Sequence, residues 1–515
     1  MKMKNILGLL LAMIAVLVSS CHKDGNSYDY KEAESISVEG LEQRYNVISE
    51  HDTLRIDAMA HSTLPDADFE YVWGVFDPLV SGTLDTIGRS RVLEYRVKLI
   101  AGNWILVHIA KNKKTGLAKL SQANIRVNTK FTTGWYVLKD DEQNSDLDFF
   151  YASKFRNVEW MSSDIYSAVN GRKLEGKAGK LSFVHNYKST VEKPKPSNTP
   201  TLFVNTTGDI QAVYLNTLKV INTKETFFLG SPSHDFRGDA VFYGSMSEFL
   251  INNGRLYGIN MMNVSKGMFG TNVMFDSKNS DYTLSPFYLP GQYSYFFDTA
   301  SSTFVTLPDA SGTMFTKVQV GKGSQMDVEQ NNQKVHYMGL KNQVYLGAPE
   351  YRYEIIGYAI FEDKSNPSRR VVARLEPNFV TMKITRKVIQ PTERLFDGKL
   401  HTLLFGDEEM MYFVATDGNV YSRNLANSFE QLQYTVSGGG EVTFIKHLRH
   451  SGSVTPFNYV AIGVKQGGSY KVMLFEKVAG DLKAMPEMTL EGEGSPRDVM
   501  YIDGDVSADT YKPIP

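Results

Sequence analysis

Cys21 carries the clearest chemistry in the chain, and it is the single cysteine among 515 residues. Lys2 and Lys4 precede an uncharged apolar stretch from Ile6 to Val18, and Val18-Ser19-Ser20 then leads with small residues into Cys21. That order of a basic start, an apolar run and a small-residue approach is the pattern of a cleaved secretory signal. The run is shorter than the roughly 20 residues a spanning helix needs. Residues 1–20 therefore read as a signal peptide, and 21–31 as a polar tether whose first residue is lipidated. A free thiol at this point accepts diacylglycerol, and cleavage exposes an amine for a further chain. Each buried CH₂ adds about 0.8 kcal/mol, so two or three chains anchor firmly where one is marginal. With no second cysteine, no intramolecular disulfide forms and packing alone must hold the fold.

Three other groups of residues have types suited to chemistry. Asp140, Asp141, Glu142, Asp146 and Asp148 cluster, and Asn144, Asp146 and Asp148 would offer oxygen ligands at alternate positions to Ca²⁺. The loop glycine and distal glutamate of a calcium loop are missing, while Leu147, Phe149 and Phe150 imply a strand with Asp146 and Asp148 facing solvent. No metal is expected there. His447 and His450 lie three apart after the alternating Val442-Thr-Phe-Ile445, at a strand end rather than on a helix, and no zinc motif accompanies them. No nucleophile elbow or phosphate-cradling loop occurs, so no catalytic residue and no cofactor is assigned. Aromatic residues are the remaining feature. Trp135 alternates into a core, whereas Trp160, in a polar stretch, together with Tyr351 and Tyr353 of Tyr351-Arg352-Tyr353, are the candidate ligand-binding residues; Tyr293 and Tyr295 rank beside or below them.

The elements that must position these residues are strands. Tyr and Phe are abundant (28 and 29), long helical periodicities are missing, and short alternating runs are punctuated by Gly, Asn, Asp, Ser and Pro. Residues 32–130 read as an immunoglobulin-like sandwich of about seven strands in about 100 residues. Its strands include Asp52–Ala58, Phe69–Val75 and Val92–Leu99, with a hairpin from Asn103–Ile109 through Asn112–Gly116 into Ala123–Val127. Residues 131–515 repeat hairpin units: Thr201–Val204 with Ala212–Leu215, Val335–Met338 with Gln343–Leu346, Met411–Val414 with Asn419–Ser422, and Tyr459–Ile462 with Tyr470–Phe475. About 385 residues at four short strands per blade suit a β-propeller of about seven blades. Tandem sandwiches would need linkers near every hundredth residue, and the Pro-rich stretch Val191–Pro200 is misplaced for that, reading as an inter-strand loop.

These features resemble a family. The lipidation site, the sandwich, and Gly134-Trp-Tyr-Val-Leu138 followed by Asp146-Leu-Asp-Phe-Phe150 are similar to the PKD-like lipoproteins of Bacteroidetes. Tyr71-Val-Trp73-Gly-Val75-Phe76-Asp77 keeps the aromatics of the PKD core strand but lacks its Gly-Asp-Gly turn. The resemblance implies sorting to the outer membrane beside a nutrient-uptake system, with Lys23-Asp24 partly matching a surface-export signal. It implies no enzymatic activity.

Loss of Lys2 and Lys4 takes the formal charge from −2 to −4. No clustered basic face is evident, so nucleic acid is not an expected partner. The expected protein is a surface-exposed outer-membrane lipoprotein, a non-catalytic binding or accessory component for glycan or peptide uptake. Its partners would be the membrane through the anchor, and a glycan or outer-membrane transporter components. A propeller-type glycoside hydrolase or polysaccharide lyase is the alternative, and a structural scaffold of a transporter complex the second.

Overall fold

A computed structural model describes residues 33–78, 84–152, 157–192, 194–230, 236–243, 247–260, 267–276, 281–308, 313–450 and 456–502. Cys21 and Lys23-Asp24 lie outside the described residues. Two units are present: one comprises Met1–Lys98 and Gly102–Val127, the other Leu99–Ala101 and Asn128–Pro515.

Among the described residues the first unit is a sandwich of nine strands. Its main sheet runs in the order Arg44–Ile48, Ala118–Asn128, Gly102–Asn112, Phe69–Phe76 and Asp85–Gly88. Two ribbons, Ile36–Glu39 with Met59–Ser62 and Thr53–Asp57 with Val92–Arg96, complete it. Trp73 is fully buried and its indole N–H donates to the Ser90 carbonyl at 2.8 Å. The ring packs on His108 at 4.3 Å between centroids, and burial holds that imidazole down to about 4, so it sits neutral in the core.

Among the described residues the second unit folds into seven sheets of three to five strands, numbered 1 to 7 in the order they succeed one another around a ring, and a two-stranded ribbon, Lys477–Val478 with Asp481–Leu482. The innermost strands of sheets 2 to 7 are Ala178–Ser189, Gly238–Tyr243, Leu284–Leu289, Gln333–Leu346, Lys399–Leu403 and Glu441–His450. Each of these sheets then runs outward through antiparallel neighbours, except that Gln319–Val320 joins the outer edge of sheet 5 in parallel with Thr381–Ile389. Sheet 1 differs: Gly134–Asp140, Asn144–Tyr151 and Trp160–Ser162 are its outer strands, and its innermost strand is Ser495–Ile502 from the far end of the chain.

Packing closes the ring. Each sheet buries both faces, so its inner strands read as near-continuous apolar runs rather than as clean alternations. Along Gly134–Asp140, Tyr136 and Leu138 meet Leu181, Phe183 and Leu202 of sheet 2, while Trp135 and Val137 meet Phe444, Tyr459 and Val472 of sheet 7. The same two-sided burial recurs between sheets 2 and 3 (Phe203, Leu250), 3 and 4 (Phe242, Tyr288) and 4 and 5 (Phe297, Phe361). It continues between sheets 5 and 6 (Tyr358, Phe413) and 6 and 7 (Tyr412, Val460). An all-β, seven-sheet, propeller-like body is the result.

One pairing expected from the sequence is not there. Val335–Met338 and Gln343–Leu346 are not hairpin partners but two halves of the single strand Gln333–Leu346, which pairs with Arg352–Asp363. Gly339 between them marks no turn. It lies where a β-carbon would come within 2.4 Å of the Tyr337 hydroxyl, in a stretch with register shifts on either side.

One buried carboxyl departs from the apolar pattern. Glu248, on the middle strand of sheet 3, is fully enclosed, and neither oxygen has a hydrogen-bond partner among the described residues. Burial pushes its pKa well above the usual carboxylate value.

Two outcomes follow from this packing. Met500 is fully buried on the closing strand in the core between sheets 1 and 2, so Met500→Ala should cost about 2–5 kcal/mol in denaturant unfolding. Deleting Ser495–Ile502 should abolish cooperative unfolding of the second unit altogether. For Glu248, the raised folded-state pKa means that the folded state binds more protons than the unfolded chain above pH 4.5. Stability from this group is therefore present below that value and lost as pH rises through the folded pKa. Thermal melts of the wild type and Glu248→Gln at pH 4 and pH 8 should show the gap moving in favour of the variant at pH 8. An equal gap at both values would sink this assignment.

Candidate functional site

The acidic cluster comes first, because the structure disposes of its carboxylates one by one. Asp146 and Asp148 do not face solvent as the sequence pattern implied; they are 1% and 0% exposed. Their strand is sandwiched between neighbours on both faces, and its polar side chains survive burial only because partners meet them. Asp148 takes the Lys139 ammonium at 2.9 Å, the Tyr470 hydroxyl at 2.6 Å and the Asp164 N–H at 2.9 Å. Burial works against the Lys139 charge, but Asp148 and Asp164 outweigh it and hold its pKa above the usual lysine value. Asp146 accepts the N–H groups of Leu147, Tyr166 and Ser167, the last two at the start of the short helix Ile165–Asn170. Asp140 pairs with Arg497 at 2.8 Å, and Asp141 with Lys173 at 3.0 Å. Lys177 and Lys465 grip Glu142 and bring its pKa down to about 2. Among the described residues no cluster of His, Cys, Asp or Glu is arranged to hold a metal ion.

Histidines 447 and 450 are both buried in the Glu441–His450 strand. His447 Nδ1 accepts from the Phe405 N–H at 2.9 Å, so Nε2 carries the proton and donates to Asn458 at 2.7 Å. Burial lowers its pKa to about 4. It is a satisfied core residue.

The innermost strands also bear on hydrolysis, which needs two available carboxyl groups across one bond. Their acids are Asp239, Glu441 and Asp498. Asp498 is held by Lys446 at 2.6 Å and the Leu181 N–H at 2.8 Å, and Asp239 by Arg237 at 2.9 Å and the Gly254 N–H at 3.0 Å. Two of the three are thus committed to structural partners.

Aromatic residues give the arrangement that remains. Trp160 is half-buried in sheet 1, not exposed: it stacks on Tyr151 at 5.5 Å and tilts against Phe149 at 5.3 Å. Its indole nitrogen is enclosed without a partner, and the neighbouring Met161 takes the outward position instead. Tyr351 and Tyr353 are elsewhere, on the hairpin that joins the two inner strands of sheet 5, 69% and 40% exposed. Tyr353 lies directly across from Tyr345, itself 54% exposed, with ring centroids 5.1 Å apart.

A shallow groove opens beside this hairpin, lined by Gln292, Tyr293 and Tyr295 of sheet 4, and by Arg352, Tyr353, Ile355, Pro377, Asn378 and Phe379 of sheet 5. Antiparallel connection explains why these meet. The turn before Tyr293, the hairpin tip before Arg352 and the turn after Asn378 all fall at the same end of their sheets. Phe379 is met edge-on by Tyr293 at 5.5 Å, and its carbonyl accepts the Tyr295 hydroxyl at 2.9 Å, which ties the two sheets together at the groove floor. Tyr351 and Phe379 hold left-handed backbone, φ 45° and 52°. A turn needing that conformation is served more cheaply by Gly or Asn, and for a bulky side chain it costs on the order of 1 kcal/mol or more. Tyr351 and Phe379 are thus strained as well as exposed. The sequence singled out Tyr351, Tyr353 and Tyr293, but not Phe379 or Tyr345. The signal for Phe379 was an aromatic inside the turn Pro377-Asn378-Phe379.

Residues 21–178 match the model of the PKD-like family, which bears out the resemblance over that stretch. Curated proteins give no sequence match. A quinoprotein alcohol dehydrogenase-like protein of Bacteroides thetaiotaomicron is similar in structure at 15% identity, covering 92% of this chain and 100% of that one, TM-score 0.40. A protein of the DUF4784 family from Bacteroides caccae follows at 10% identity, 79% and 96% coverage, TM-score 0.30. A β-propeller domain from Myceliophteria thermophila matches at 9% identity, 62% and 89% coverage, TM-score 0.36. Likenesses of this size bear on no functional question.

Because Asp148 is fully enclosed, Lys139→Met should leave a buried charge short of its cation and destabilise by about 3 kcal/mol in denaturant unfolding. Added Ca²⁺ or a chelator should leave the melting temperature of the wild type unchanged.

Proposed function

We propose that this chain is a lipid-anchored accessory protein of the outer-membrane surface that binds a glycan, without catalysis, on the groove between sheets 4 and 5. The observation that carries this reading is the exposed aromatic set Tyr345, Tyr351, Tyr353 and Phe379 at one end of a rigid ring. Aromatic faces offer a flat apolar surface to the C–H face of a sugar, and a tyrosine hydroxyl adds a polar tip. Contiguous exposed apolar area of this kind marks an interaction surface. Turns held by a scaffold are where binding residues concentrate. Gln292 and Asn378 supply side-chain amides beside the rings, as hydroxyl-rich ligands require.

Support for the anchor rests on Cys21 and the signal-like residues before it. Among the described residues no helix is long and apolar enough to cross a membrane. The PKD-like match over 21–178 is compatible with an accessory binding role beside a nutrient-uptake system. The hydrolase reading is less well supported, because Asp239 and Asp498 on the innermost strands already have structural partners.

The soluble form beginning after Cys21 should bind at least one glycan on an array, and Tyr345→Ala with Tyr353→Ala should remove that signal without lowering the melting temperature. Full-length Cys21→Ala should move from the membrane to the soluble fraction. A protein blind to every glycan that co-purifies with a transporter would favour a scaffold instead, and glycan turnover would favour an enzyme.

A further inference from the structure

We infer that the groove is built for an acidic glycan, one whose sugar carries an oxyanion, and that Arg352 is the residue that selects it. This rests on the reading of the groove as a glycan site and goes further by naming the ligand's charge.

Arg352 opens the strand Arg352–Asp363, opposite Leu346, and lies half-buried among the groove's aromatic residues. Among the described residues its side chain makes no ion pair and no hydrogen bond. Its flanking acids, Glu350 and Glu354, are both exposed, and neither reaches it. Arginines of the ring that are part-buried or, like Arg423, fully buried behave differently. Arg370 pairs with Glu362 and Asp397, Arg374 with Glu376, Arg423 with Glu393 and Glu430, and Arg497 with Asp140. A guanidinium presents five N–H donors in a fixed planar fork, and that fork matches a carboxylate or a sulfate through two parallel hydrogen bonds. Because it lines the same groove as Tyr353 and Phe379, an open fork there puts an anion receptor beside the rings on which a sugar would lie. A neutral glycan would use the rings and leave the fork empty. An acidic one uses both. Carboxylate and sulfate share this chemistry, and the choice of probes separates them.

Binding would be measured by calorimetry on the soluble protein with oligogalacturonate, its methyl ester, a chondroitin sulfate oligosaccharide and a neutral xylo-oligosaccharide, at low and high salt. We expect at least one acidic probe to bind at least tenfold more tightly than its neutral counterpart. Arg352→Gln should bring acidic binding down to the neutral level while neutral binding stays as it was, and added salt should mimic that loss. Arg369→Gln, on an exposed site further along sheet 5, should change nothing. If the methyl ester binds as well as the acid and Arg352→Gln is silent, the charge assignment falls and the glycan groove stands. If no glycan of either kind binds, the groove reading itself falls. Capture of a free peptide carboxylate at Arg352, with no glycan bound, would overturn both.

Discussion

The antiparallel pairing of Ser495–Ile502 with Gly134–Asp140 is the contact on which the rest of the second unit depends. Every sheet in the ring has two apolar faces and can bury both only if it has a neighbour on each side. The first and last sheets have that neighbour only when the chain's end returns to its start. Bringing these segments together closes a loop of several hundred residues, and the entropic cost of that grows only slowly with length, by about 0.6 kcal/mol per doubling. The contact is nevertheless as non-local as any in the chain, and ring closure is expected late in folding for that reason. No disulfide secures it, since the only cysteine is Cys21. Burial of Val499, Met500, Tyr501 and Ile502 between sheets 7, 1 and 2 does so instead.

Polar residues on the same strand set its register. Asp498 places one oxygen on Lys446 of sheet 7 and the other on the Leu181 N–H of sheet 2, while Arg497 reaches Asp140 within sheet 1. One two-residue step thus engages all three sheets that the strand must join. A strand of alternating apolar residues slipped by two would still bury its side chains, but it would lose these three attachments at once. Buried ion pairs contribute little net stability against a hydrophobic replacement, so specificity of closure is the better account of their presence. Asp148 extends the pattern, since it joins Lys139 on its own sheet to Tyr470 on sheet 7.

What the sequence disclosed and what it withheld follow from this geometry. Apolar runs such as Thr201–Val204 and Met411–Val414 were readable as strands, because two-sided burial writes itself into composition. Asp146 and Asp148 read in the sequence as a solvent face, and for Asp148 one reason is that its partner Tyr470 lies 322 residues away. No local pattern encodes such a partner, and without it a carboxylate reads as exposed. The Gln333–Leu346 strand reads in the sequence as two paired halves, whereas in the structure Gly339 lies within one strand where close approach of Tyr337 leaves no room for a side chain. Trp160 was placed outside on the strength of polar neighbours, whereas Tyr151 covers its face. Local sequence shows what a residue is next to, and only the ring shows what it faces.

The family match has a physical consequence of the same kind. It spans 21–178, and so takes in the sandwich together with the outer strands of sheet 1 but not the innermost strand. A segment cut at that boundary would expose the Gly134–Asp140 edge and both apolar faces of sheet 1, so the match does not delimit an independent folding unit. The groove sits on sheets 4 and 5, outside that stretch, in a part of the ring whose inner strands are held on both faces by the cores on either side. Turns that project from such sheets are fixed at their bases, and the left-handed residues Tyr351 and Phe379 can be sustained there because the strands beneath them do not yield. The unpartnered Arg352 is tolerable for the same reason, since its strand is held by pairing and packing rather than by its own side chain. Closure by the last strand and the turns of the fifth sheet are therefore linked: a ring held on both faces can sustain strained, exposed aromatic turns, and those turns are where the proposed ligand would sit.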